Sequence, residues 1–180
     1  MSIKPISRPK WSKKQVTDVL KKMNVLDSVV ILAVRGYYQD SMGEPGKNDR
    51  GLYDDAIFVV TPEKITAFNA NTDPTKYKHG IATLAAGVWK YQKGVHPISR
   101  PGGYPALRQA QPVTVIRDGG VRGTGWYGIN IHRGGYTTTS SLGCQTLFPD
   151  QWNEFKELVY AQMTKHGITT IKYVLVEQQG

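Results

Sequence analysis

The sequence predicts a β-rich α+β fold, and three observations carry that prediction. Short apolar runs recur along the chain, separated by turns drawn from its 19 glycines and 10 prolines. Only two segments carry helical periodicity. Strands and helices do not alternate, as a parallel α/β sheet would require. The 180 residues are enough for one sizeable core and too few for a comfortable second one, so residues 1–180 are read as a single domain.

The elements follow in order. Residues 1–11 are basic and proline-bearing and are read as an extended arm. Ser12 stands three residues before Gln15, a capping-box spacing, and Val16, Val19, Leu20 and Met23 form one apolar stripe behind it. The unbroken run Val29 to Val34 predicts a buried strand. Ala56 to Val60 and Lys64 to Phe68 predict a hairpin about Thr61-Pro62-Glu63. Further strands are expected over 82–89, 112–117, 125–132, 144–148 and 169–176. A second helix is expected from Asp150, as N-cap, to His166, with Trp152, Phe155, Leu158, Val159 and Met163 inward and Gly167 as its stop.

Composition narrows the function classes. No apolar run reaches the roughly 18 residues of a membrane span. The first residues lack the apolar stretch of a signal peptide, so synthesis in a cytoplasm is expected, with any action at a cell wall requiring release or export. A net charge of +9 favours anionic partners, nucleic acid and bacterial wall among them, and equally serves solubility. The lysines are dispersed and no nucleic-acid motif appears, which weighs against nucleic acid. A lone cysteine excludes an internal disulfide and a cysteine-rich zinc site. The four histidines fall in no ligand spacing, so no metal and no cofactor are called for.

That lone cysteine sits in the informative stretch. Tyr127, Ile129 and Ile131 alternate into His132, a polar glycine-rich loop follows, and Cys144 opens the next apolar run. A histidine ending one strand and a cysteine starting its neighbour can meet across the pair. The pairing suits nucleophilic catalysis. A free thiol near pKa 8.5 supplies little thiolate at neutral pH, and an imidazole can take its proton and return it to a leaving amine. Gly143 permits positive φ and close approach of substrate. The Cys144 amide could face a developing oxyanion, with Ser141 in the same network.

On His132, Ser141, Gly143 and Cys144, with Gly128-Ile129-Asn130-Ile131 running into the histidine, the sequence resembles the L,D-transpeptidase catalytic domain, a family that remodels bacterial peptidoglycan. The resemblance covers about residues 125 to 148. It implies a β-sandwich or barrel with an N-terminal helix and a helix after the catalytic cysteine. It also implies attack by Cys144 on a peptidoglycan stem peptide and passage of the thioester to water or to an amine. Leu142 stands where the family often has a basic residue, and Thr146 where Arg or Asn is common at the substrate. Arg133 could supply a replacement cation for a stem-peptide carboxylate, a solvated arginine being the plainer reading. Trp126 and Tyr136 flank the stretch and could pack on glycan or peptide, and His79 could line the groove; core aromatics and a surface histidine are the plainer readings. Without a signal peptide, hydrolysis by a lytic or effector-type enzyme, such as a phage lysis protein, is favoured over cross-linking. A basic nucleic-acid module and a wall-binding protein without activity stay open.

Overall fold

A computed structural model describes residues 2–97 and 101–179. The first helix, α1 (Lys13–Lys22), opens as its capping box dictates: Ser12 Oγ accepts from Gln15 N and Gln15 Oε1 from Ser12 N (2.7 Å). Eleven strands follow: β1 (Val30–Arg35), β2 (Asp55–Val60), β3 (Ile65–Asn71), β4 (Ala82–Leu84), β5 (Gly87–His96), β6 (Tyr104–Gln109), β7 (Val113–Arg117), β8 (Arg122–Gly125), β9 (Ile131–Arg133), β10 (Gln145–Leu147) and β11 (Ile171–Glu177). The second helix, α2 (Pro149–Lys165), lies between β10 and β11. The arm before α1 is pinned to the body: Ser7 O accepts from Tyr38 Oη and Asn69 Nδ2, and Trp11 stacks on Phe58 at 5.7 Å.

Eight strands close into a barrel in the order β1-β11-β5-β6-β9-β10-β3-β2, and β4-β7-β8 form a separate small sheet. The β1–β11 and β9–β10 pairs are parallel; the other barrel pairs are antiparallel. Because side chains alternate across a strand, each strand serves two packing layers. Ile31, Ala33, Ile57, Val59, Phe68, Tyr173 and Leu175 face the barrel interior, where Phe155 and Val159 of α2 and Leu84 and Val115 of the small sheet join them. Val30, Leu32, Val34, Ala56 and Phe58 face outward under Val16 and Leu20 of α1. The dry layer on both faces of β1 explains its unbroken apolar run.

Three sequence expectations change. The run over 82–89 is two strands in two sheets, β4 and β5. The run over 125–132 divides between β8 and β9, and β6 was not foreseen. The N-cap of α2 is Phe148 rather than Asp150, with Pro149 at the first helical position and Asp150 inside the first turn. Arg100-Pro101-Gly102-Gly103-Tyr104, a turn signal in the sequence, begins outside the described residues.

Candidate active site

The parallel β9–β10 pair places His132 opposite Thr146, and Gln145 opposite Ile131. One step earlier, Gln145 N donates to Asn130 O at 2.9 Å, so Cys144 lies alongside Asn130. Ile131 and Leu147 point into the barrel. Alternation then puts Asn130, His132, Cys144 and Thr146 on the outer face. His132 and Cys144 are thus diagonal neighbours on one face of the pair.

The Cys144 side chain is half-buried. Its Sγ accepts from Asn130 N and donates to Gly128 O, both at 3.4 Å, and no hydrogen bond joins it to the imidazole in this arrangement. Burial pushes the thiol up to about 11, against the Asn130 N–H, which favours the thiolate. Burial, and then the adjacent His96, lower His132 to about 4, opposed by the carbonyl of Arg133. The resting pair is therefore a neutral thiol and a neutral imidazole, not an ion pair.

Geometry settles the tautomer of His132. Its Nδ1–H donates to Arg133 O at 2.8 Å, which leaves Nε2 with the lone pair a general base needs. Tyr104 Oη reaches the same place, 3.3 Å from His132 Nδ1 and donating to Arg133 O at 3.4 Å.

Ser141 and Gly143 shape the turn that presents the sulfur. Ser141 Oγ accepts from Gly143 N at 3.0 Å and donates to Cys144 O at 2.6 Å, while its backbone exchanges bonds with Thr75. Ser141 is thus a positioning residue, tied to backbone and buried. Gly143 has φ +132°, and a Cβ there would lie 2.5 Å from Ala82 O. Among the described residues, the Cys144 N–H has no hydrogen-bond partner, leaving a backbone donor free beside the sulfur.

The other expected site residues divide. Arg133 is exposed and its guanidinium lies over the Tyr104 ring at 5.4 Å, at the rim of the histidine. Trp126 is exposed, two residues before the carbonyl that meets the sulfur. Tyr136 stacks edge-on against Phe148 and donates to Asp150 Oδ1 at 2.7 Å, so its hydroxyl is engaged at the start of α2. His79 sits against Gly119, in the turn between β7 and β8, with no contact to the sulfur or to His132. Thr146 is a correction: it is fully buried and its Oγ1 accepts from Asn71 Nδ2 at 3.3 Å, so it cannot touch a substrate. No group of three metal-ligating side chains occurs among the described residues.

Four participants lay outside the sequence reading. His96 stacks face to face on His132, and Tyr104 and Asn130 complete the surround. Gln109 Oε1 accepts from Tyr127 N (3.3 Å) and Ile129 N (2.9 Å), holding the segment that carries Asn130. Asn130 alone left a signal, being two positions from His132 in an alternating run. Compared with protein-family models, with curated proteins and with solved structures, the chain has no significant match.

Proposed function

We propose that this chain is a cysteine-dependent acyltransferase acting on peptidoglycan stem peptides, with Cys144 as nucleophile, His132 as base, and water or a second amine as acceptor. The observation that carries the reading is the shared outer face of β9 and β10, on which Cys144 and a base with a free Nε2 stand diagonally. The resemblance of residues 125–148 to L,D-transpeptidases supplies the substrate class, and the closed barrel with flanking helices is of the kind that resemblance implies.

The steps follow from the protonation states. The thiol leaves Gly128 O as substrate binds, Sγ attacks the carbonyl carbon, and its proton passes to His132 Nε2. Negative charge develops on the carbonyl oxygen, and the Cys144 N–H beside the sulfur can donate to it. His132 then protonates the departing amine and the C–N bond breaks, leaving a thioester. Water or a second amine attacks the thioester carbon and gives its proton to His132; the C–S bond breaks, and the departing sulfur takes the proton back. Arg133 supplies the cation for a stem-peptide carboxylate, and Trp126 a face for glycan. Such substrates lie in a cell wall, so action there requires release or export.

The test is direct. Cys144→Ala is expected to abolish release or exchange of stem-peptide residues from purified muropeptides, followed by mass spectrometry, and wild-type digests quenched in acid should carry a thioester on Cys144. Full turnover by the alanine variant would overturn the proposal.

A further inference from the structure

We propose that His96 is a positioning residue for the catalytic base, its ring being the wall against which His132 is held. The inference rests on the reading of Cys144 and His132 as an acyl-transfer pair. His96 ends β5, opposite Tyr104 of β6 in the ladder, and its ring lies over that of His132 with centroids 3.9 Å apart and planes 8° from parallel.

One hydrogen bond does not fix an imidazole. The Nδ1–H bond to Arg133 O anchors one edge of His132 and leaves the ring free to tilt about it. A parallel ring at van der Waals separation removes that freedom and excludes water from the face it covers. The ring so held belongs to the same outer face of the β9–β10 pair as Cys144.

His96 is itself held, and held neutral. Asn130 Oδ1 accepts from Gln109 N at 3.4 Å, which turns Asn130 Nδ2 toward His96 Nδ1 at 3.1 Å. Facing a donor, His96 Nδ1 carries the lone pair and its proton sits on Nε2. Burial and the nearby Arg108 both act against a second proton on His96. The same Asn130 gives its backbone N–H to the sulfur, so one residue connects the wall to the nucleophile. When His132 takes the thiol proton, the imidazolium meets the face of a neutral ring, which tolerates a cation; a charged His96 would repel it. Around His132 the facing groups are His96 from β5, Tyr104 from β6 and the Arg133 carbonyl from β9; the nearby charges are the Arg133 guanidinium over the Tyr104 ring and Arg108 beside His96. From α2, Trp152 reaches Tyr104 at 6.1 Å and brings no charge.

The test compares His96→Ala with His96→Phe in the full chain, reading the His132 ring by nitrogen-15 NMR titration and turnover of muropeptides against pH. Removing the ring admits water, so alanine is expected to move His132 from about 4 toward the ordinary 6.5. Turnover should fall on the order of tenfold, with KM unchanged and the acid limb of the pH profile moving up with the imidazole. Phenylalanine keeps a flat ring and should hold both properties near wild type. An alanine variant that titrates and turns over like wild type overturns the proposal, as does a folded phenylalanine variant that fails equally. Should alanine unfold the chain, circular dichroism will show it and the phenylalanine variant decides. If the wild type itself releases no product, the acyl-transfer reading falls, while the His132 titration still tests the hold of His96 on that ring.

Discussion

Gly143 shows how narrowly the site is defined at the scale of one residue. Its φ of +132° is a region that side chains rarely enter, and Ala82 O and Ile129 Cδ1 close on the space a Cβ would need, at 2.5 and 3.1 Å. An alanine must therefore shift the chain that carries the free Cys144 N–H. Gly143→Ala is expected to cost about 1–3 kcal/mol of stability, read by urea unfolding, and at least about a hundredfold in turnover, because a displaced donor no longer meets the oxyanion. Wild-type turnover from a folded alanine variant would sink this account. The glycine was legible because its neighbour is the only cysteine. Thr146 was misread because one threonine in a short apolar run carries no signal of burial. His96 reads from sequence as structural or exposed, because nothing near it marks a site; the barrel alone brings it over His132.

The segment between β8 and β9 teaches the corresponding lesson for elements. Alternation through Tyr127, Ile129 and Ile131 predicted one strand over 125–132, yet the chain leaves the small sheet at Gly125 and enters the barrel at Ile131. A chain crossing between sheets has no ladder, and Gly128 turns it with φ +67°. The Gln109 side chain supplies what the ladder does not, its Oε1 accepting from Tyr127 N and Ile129 N while its Nε2 donates to Gln111 O and Gly125 O, both at 3.0 Å. A pattern of apolar side chains reports which faces are buried, and cannot report that a distant amide replaces a neighbouring strand. Gln109→Leu keeps the volume and strands these groups, so it should cost about 2–4 kcal/mol. Because Asn130 N–H reaches the sulfur from this segment, turnover should fall as well, on the order of tenfold. Unchanged unfolding midpoint and turnover would show that water serves the segment as well as Gln109 does. The helices, by contrast, were legible to within two residues, since periodicity and the capping box of α1 are local properties; only the cap of α2 was misplaced, at Asp150 for Phe148.

At the scale of the whole molecule, closure brings together charges that no local pattern foretells. Arg35, at the end of β1, donates to Thr72 Oγ1 (2.9 Å), Thr72 O (2.7 Å) and Leu84 O (2.9 Å), tying the barrel to the small sheet. Around it Asp54, Asp55 and Asp73 are almost wholly buried, and one carboxylate oxygen of Asp54 and one of Asp73 have no hydrogen-bond partner among the described residues. Burial first, and then the charge of Asp55, raise Asp54 to about 9 and Asp73 to about 7. The consequence for stability has a definite sign. Below pH 3.8 these carboxyls are protonated folded or unfolded and impose no penalty. Above it the unfolded chain ionises while the native Asp54 holds its proton until about pH 9, so stability falls as pH rises through that window. His132 acts oppositely: its lowered value costs stability as pH falls from 6.5 to about 4. Asp54→Asn cannot ionise in either state and still accepts from Asp49 N, which bonds Asp54 Oδ2 at 3.0 Å. The His132 contribution is common to both proteins and cancels in their difference. The thermal midpoint of the asparagine variant, relative to wild type, should therefore rise steadily between pH 4 and pH 8, followed by circular dichroism at fixed ionic strength. Parallel midpoint curves for the two proteins would mean that Asp54 is already ionised in the native state and would overturn its raised value.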